Sequence, residues 1–186
     1  MTSERLLQGE KTRLRPIVAE DMPRLARWLN TPEVRHWLHH SERPDATAEA
    51  ATERFMTNSD AAANVHWIIE TLDGRPIGSL RLLEIDPHHR RCELAISIGE
   101  VDCLGSGYGT DAVRQALRFA FEDLGLRRVD LIADADNARG IRCYEKCGFV
   151  REGLLRSRRL RYGTPVDMVI MGALKDEYSE QRMDDG

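Results

Sequence analysis

Long hydrophobic runs are missing from this 186-residue chain: no apolar stretch approaches the roughly 20 residues of a helical membrane span, so no membrane partner is expected. Met1 to Glu10 also lacks the apolar centre of a secretory signal, and a cytoplasmic location follows as the expectation. Cysteine is sparse and unpatterned. Cys92, Cys103, Cys143 and Cys147 show no C-x-x-C and no Cys/His ligand spacing, which argues for buried reduced thiols and against a metal site. Neither sign of charge dominates. The 27 basic and 31 acidic residues leave a formal net charge of -4, which gives no reason to expect nucleic acid as a partner and suits a cationic small acceptor slightly better. Low-complexity stretches, repeats and linkers are lacking up to Lys175, where a short polar tail begins. One domain over residues 1–174 and a tail over 175–186 is the expected organisation.

What the chain does contain is a readable succession of periods. Thr12 to Ile17 reads as a strand, then Asp21 as an N-cap with Pro23 just inside a helix that carries Met22, Leu25, Ala26 and Leu29 at helical spacing. Pro32 stops simple continuation, and a weaker alanine-rich helix is predicted near Ala46 to Met56. Val65 to Thr71 and Pro76 to Ile85 read as a hairpin around Asp73-Gly74. Cys92 to Ile98 alternates, with Leu94, Ile96 and Ile98 on one face and Glu93, Ala95 and Ser97 on the other, where the small residues leave room for a ligand. A helix is predicted over about Gly107 to Asp123, closed by Gly125, then a strand over Val129 to Ala133. A helix from Asn137 to Gly148 and two strands around Tyr162-Gly163 complete an α+β pattern on one mixed sheet.

Two segments bear chemistry. Leu104-Gly105-Ser106-Gly107-Tyr108-Gly109-Thr110 joins a strand to a helix, where glycines let backbone N–H groups converge on an anion such as a pyrophosphate. It has neither the Lys-Ser/Thr of a Walker loop nor the acidic residue of a dinucleotide fold, so a nucleotide-binding protein is only a distant reading. The second segment is Asn137-Ala-Arg-Gly-Ile-Arg-Cys-Tyr144-Glu-Lys-Cys-Gly-Phe149. Together and in this order the two segments resemble the GNAT superfamily of acyl-CoA-dependent N-acetyltransferases. Glu93 to Gly99, with the closing Gly163 to Leu174 strand, looks most like the branch of ribosomal-protein-alanine and spermidine acetyltransferases.

The resemblance implies a GNAT-type acyl-CoA N-acyltransferase fold, a mixed central sheet flanked by helices on both faces, with acetyl-CoA as co-substrate. It also implies roles for particular residues. Ile96, Ser97 and Ile98 would lie on a splayed strand pairing with the pantetheine arm. Leu104, Gly105, Ser106, Gly107, Tyr108, Gly109 and Thr110 would hold the pyrophosphate, and Asn137 the pantetheine. Tyr144 would face the thioester sulfur. Position 104 commonly carries Arg or Gln in the family; Leu104 here is expected to alter affinity without abolishing backbone-mediated binding.

Thioester aminolysis needs a neutral amine and a proton for the leaving thiolate. A tyrosine hydroxyl, with a reference pKa of about 10, is protonated at pH 7 and can donate. No cysteine nucleophile is needed, because the amine can attack directly. Glu93 is the preferred base, with Asp134 and Asp136 as runners-up. Competing roles are a core position for Tyr144, an N-cap for Asn137 and a solvated carboxylate for Glu93.

Arg151, Arg156, Arg158, Arg159 and Arg161 read as a solvated face, or as a contact for an acidic acceptor protein. His36, His39, His40, His88 and His89 read as surface groups able to line an acceptor pocket. The acceptor wall is expected from Asn30 to Met56 and the final hairpin, and the acceptor is a protein N-terminus or a small amine. The alternative function is a non-catalytic acyl-CoA sensor or scaffold. An edge strand in the closing hairpin is able to support a homodimer.

Overall fold

The computed structural model describes residues 5–38, 47–52 and 64–178. Eight strands form one sheet in the order β1-β2-β3-β4-β5-β6-β8-β7. They are β1 (Leu7–Gln8), β2 (Thr12–Pro16), β3 (Val65–Thr71), β4 (Pro76–Asp86), β5 (Arg91–Ile98), β6 (Arg128–Asp134), β7 (Val150–Arg161) and β8 (Thr164–Leu174). All neighbours run antiparallel except β5 and β6, which are parallel, so the sheet is mixed as expected. The described helices are α1 (Met22–Asn30), α2 (Pro32–Arg35), α3 (Ala48–Thr52), α4 (Tyr108–Arg118) and α5 (Ala138–Glu145). The remainder of the helix predicted near Ala46 to Met56 lies outside the described residues.

Residue alternation on β3 explains the layering. Trp67 and Ile69 point into a large core with Ala112, Val113, Ala116 and Leu117 of α4, all fully buried. Ile68 points the other way, into a second cluster with Met22, Leu25, Ala26 and Trp28 of α1. Helices therefore cover both faces, and each fully buried Leu, Ile or Phe in these clusters contributes about 1.5–3 kcal/mol of transfer free energy. Trp67 meets Phe119 edge-on, with ring centroids 5.2 Å apart.

Turn chemistry follows the residue types. Tyr162 and Gly163 both take positive φ, 50° and 77°, as a two-residue hairpin turn whose twist matches its strands requires. The helix predicted over 107–123 is not uniform: after Arg118 the segment Phe119–Asp123 widens into a π turn, and Leu124 N–H then donates to Phe119 O at 3.0 Å. The wider turn keeps Phe119, Ala120 and Phe121 all buried.

Polar anchors join the layers. Asp111, in the first turn of α4, accepts from the N–H of Glu10 (3.0 Å), Lys11 (3.2 Å) and Thr12 (2.9 Å), and from Thr12 Oγ1 at 2.6 Å. Gln115, one turn on, donates to Thr12 Oγ1 at 2.7 Å. Asp21 stands at the N-cap of α1 as predicted, but its side chain does not cap the helix. It accepts from Arg15 at 2.6 and 2.7 Å and from Val18 N–H at 3.1 Å instead.

Candidate active site

The β5–β6 pairing lasts only from Arg91/Arg128 to Glu93/Asp130. Beyond Glu93 the two strands diverge, and Leu94 to Ile98 keep their partners on β4 alone. The open side of this fork exposes strand-edge N–H and C=O groups of β5 to whatever fills it. What fills it is a cleft of about 1110 Å³.

One wall of the cleft is β5. Glu93 to Ile98 all line it along the strand's open edge, although Leu94, Ile96 and Ile98 also pack on the main core. A second wall is the loop leading into α4, contributing Leu104, Gly105, Gly107, Tyr108, Gly109 and Thr110. Gly105 and Gly107 have φ of 77° and 86°, values that favour glycine, and Gly107 is the N-cap of α4. The first N–H of α4 with an intrahelical partner is that of Asp111, bonding Gly107 O at 3.1 Å, which leaves the N–H groups of Tyr108, Gly109 and Thr110 for a ligand at the positive helix end. Ser106 does not line the cleft; its carbonyl accepts from Lys11 Nζ at 3.1 Å. The loop offers backbone donors and no side-chain carboxylate, a composition suited to an anion.

A third wall is α5. Asn137 lines the cleft and caps the helix, its Oδ1 accepting from Gly140 N–H at 3.0 Å. The capping role weighed for this residue is thus occupied by the side-chain oxygen. Tyr144 also lines the cleft, its ring meeting Phe149 at 5.9 Å. Burial raises its hydroxyl pKa further above 10, with the Cys143 and Cys147 sulfurs adding to the shift, so the phenol keeps its proton at neutral pH.

Glu93 sits at the vertex of the fork, paired with Leu83 on one side and Asp130 on the other. Burial and then the nearby Glu84 charge raise its carboxyl above the ordinary range, and Arg81 and Arg91 only partly oppose them. Glu84 is held there by a kink in β4, with φ of 50° and its N–H bonded to Asn64 Oδ1 at 3.0 Å.

The runners-up are unsuited to the same work. Asp134 is 2% exposed and lines the cleft, but it is bound by Arg159, at 2.7 Å from Nε, and by Arg161 at 2.8 Å. Burial alone would raise its pKa; hydrogen bonds and charge from the two guanidiniums outweigh it and hold the carboxyl below the usual range. Asp136 is likewise lowered, chiefly by its hydrogen bond to Arg161. A carboxylate pinned in this way is a weak base.

These contacts correct the solvated-face reading for two of its five arginines, while Arg151, Arg156 and Arg158 are exposed as that reading expects. Arg159 and Arg161 are buried side chains, 9% and 10% exposed, and both reach the tip of β6. Arg161 also stacks 5.0 Å over the Trp37 ring, and Arg159 donates to His36 O at 3.4 Å. The final hairpin therefore contributes no cleft-lining residue among those described; it braces the wall made by residues 29–38. Of the histidines, His36 packs on Trp37 at 4.6 Å, His88 and His89 stand exposed on the β4–β5 turn, and His39 and His40 lie outside the described residues. Among the described residues no group of His, Cys, Asp and Glu has metal-site geometry, and no helix is long and apolar enough to cross a membrane.

From the Asn30 to Met56 segment expected to wall the acceptor, Glu33, Arg35, Trp37 and Leu38 line the cleft, and Arg81 of β4, which the sequence did not single out, joins them. No periodicity marks them, because they converge from elements distant in sequence.

A forked sheet with a glycine cradle at a helix N-terminus suits a transferase whose co-substrate is long and phosphorylated. The family model for the acetyltransferase (GNAT) domain matches residues 11–150, and the chain belongs to that family. It is an acyl-CoA-dependent N-acetyltransferase. The aminoglycoside N(6')-acetyltransferase type 1 of Klebsiella pneumoniae is 28% identical over 157 residues, covering 78% of this chain and 77% of that protein. The spermidine N(1)-acetyltransferase of Escherichia coli K12 is 30% identical over 148 residues, 79% and 77%. Among solved structures, spermidine N-acetyltransferase from Vibrio cholerae in complex with CoA and spermine superposes with a TM-score of 0.82 at 25% identity, covering 90% of this chain and 98% of that one.

Proposed function

We propose that this enzyme transfers acetyl from acetyl-CoA to a primary amine by direct attack, with Glu93 as base and Tyr144 as acid. The observation that carries the proposal is the meeting of a raised carboxyl and a proton-bearing phenol in one cleft with the glycine cradle. The cradle's N–H groups take the pyrophosphate, and the free edge of β5 at Ile96, Ser97 and Ile98 pairs with the pantetheine. Asn137 contributes through its amide nitrogen, since the oxygen caps α5.

Glu93 then accepts a proton from the acceptor ammonium, directly or through water. The neutral amine attacks the thioester carbonyl, and the C–S bond breaks as Tyr144 donates its proton to the departing sulfur. The raised carboxyl pKa brings the base closer to neutral pH, where proton transfer from an amine is least uphill.

A small amine is the acceptor that the named relatives support. A second reading, a peptide α-amine, is favoured by the charge at the acceptor end. Glu33 and Glu93 are matched there by Arg35 and Arg81, which a polycation such as a polyamine would find less welcoming than a purely acidic pocket. The test is release of CoA thiol from acetyl-CoA with polyamines, aminoglycosides and short peptides, for the native chain and Tyr144→Phe. Amine-dependent release that falls about 10²-fold in the variant, with acetyl-CoA binding unchanged, is the expected result. Equal rates in the two proteins would remove Tyr144 from the mechanism.

A further inference from the structure

The four cysteines do not share one environment. Cys92 is buried and its thiol is pushed up to about 12 by desolvation, and Cys103 is raised in the same direction. Cys143 is different: it is half-buried and lines the cleft, where it accepts from Thr110 Oγ1 at 3.4 Å. A Cβ on Gly109 would stand 3.6 Å from its sulfur, so the thiol lies against the cradle itself.

Cys147, one turn further and 4% exposed, donates to Thr110 O at 3.5 Å and hydrogen-bonds to the Cys143 sulfur. That bond and the one from Thr110 outweigh burial and lower the Cys143 thiol, with Lys146 and Arg114 adding positive charge nearby. Cys147 is raised in turn, chiefly by the same bond, and keeps its proton. A cleft-lining cysteine thus stands one turn from a second, buried one, and Thr110 touches both sulfurs. Such a pair has the parts of a peroxide-responsive site: an attacking sulfur and a resolving sulfur.

We propose that Cys143 and Cys147 form a thiol pair that hydroperoxides oxidise to a disulfide, switching the enzyme down when its cleft is empty. The Cys143 thiolate attacks the peroxide O–O bond; one oxygen stays on sulfur as a sulfenic acid and the other leaves as hydroxide or alkoxide. The Cys147 thiol then attacks the Cys143 sulfur, the S–O bond breaks, and water leaves with the thiol proton. Two cysteines are oxidised, and the peroxide is the two-electron acceptor.

Position makes the link consequential and attainable. Cys147 lies beyond the last residue of α5, Glu145, so drawing the sulfurs together distorts a helix end and not a helix middle. Tyr144 lies between the two cysteines, and Thr110 of the cradle contacts both. A disulfide therefore shifts the proposed acid and one wall of the cradle together. Bound CoA covers the approach to Cys143 and slows the reaction.

The experiment treats the full chain with hydrogen peroxide, with and without CoA, and reads intact mass, mapped peptides and acetyl-CoA binding. The expected native product has lost two hydrogens, shows a Cys143–Cys147 linked peptide, binds acetyl-CoA more weakly and reverts with dithiothreitol. Cys147→Ser should stop at a sulfenic acid on Cys143 that a dimedone probe traps, and Cys143→Ser should leave Cys147 reduced. Cys143 should react about tenfold or more faster than Cys92 or Cys103, following thiolate fraction. Oxidation of Cys103 ahead of Cys143, or a Cys143 sulfenic acid that Cys147 fails to resolve in the native chain, overturns the proposal. The mass readout does not require the acceptor to be known, so failure here is distinct from failure of the acetyl-transfer reading.

Discussion

At the scale of single residues, the chemistry rests on opposite treatments of two kinds of carboxylate. Glu93 is left at the fork with a carboxylate neighbour and rises; Asp134 is surrounded by guanidiniums and falls. The consequence for Glu93→Gln is twofold. Turnover at pH 7 should drop about 10²-fold and lose the acidic limb of its pH–rate profile. Stability should move the other way. A carboxyl with a raised folded pKa costs stability when ionised, so the Gln variant gains melting temperature at neutral pH and loses that advantage as pH falls through the folded pKa. Parallel melting and rate profiles from pH 4 to 8 check both signs, and an unchanged acidic limb would show that another group is the base.

Among the elements, β5 does the most to make a site, because it is paired on both sides up to Glu93 and on one side beyond it. Its position depends on Gly78 of β4. A Cβ there would collide with the Ser97 carbonyl oxygen and crowd the Ile98 Cα, both of them backbone. Gly78→Ala should therefore cost about 1–3 kcal/mol and push β5 into the cleft. Thermal unfolding and acetyl-CoA titration should show lower stability and weaker binding together; lower stability with native affinity would mean that β4 yields instead. The element boundaries legible in the sequence were those set by local chemistry. Tyr162-Gly163 and Asp73-Gly74 mark their turns, and α5 is bracketed by Asn137 and Gly148. The π turn at Phe119–Asp123 was not legible, since its cause is where Phe119 and Phe121 find room in the core. Nor was β1, a strand of two residues with no period to read.

Over the whole molecule, charge ties distant layers together. Asp21, Asp111 and Asp134 each join separate elements, and each is held below the usual carboxylate range by partners that outweigh its burial. Contributions of this sign are complete above about pH 5 and fade as pH drops through the folded pKa values. Apart from the gain as Glu93 protonates, denaturant midpoints should accordingly hold from neutrality to about pH 5 and fall below that. Asp111→Asn should lower the neutral midpoint and flatten the fall, because Asp111 is the ionisable group that fastens α4 to Glu10, Lys11 and Thr12. A variant with the native acid slope would shift the credit to the other carboxylates. By itself the sequence determined the order of the longer strands and helices, the glycine cradle and the candidacy of Tyr144 and Glu93, since hydrophobic period, turn residues and glycine backbone freedom are local properties. Only the tertiary structure decided that Asp134 is neutralised by Arg159 and Arg161, that the closing hairpin braces residues 29–38 without lining the cleft, and that Glu33, Arg35, Arg81 and Glu93 line one cleft. Those facts depend on which groups meet after the chain has folded, and charge pairing between residues far apart in sequence leaves no periodic trace along it.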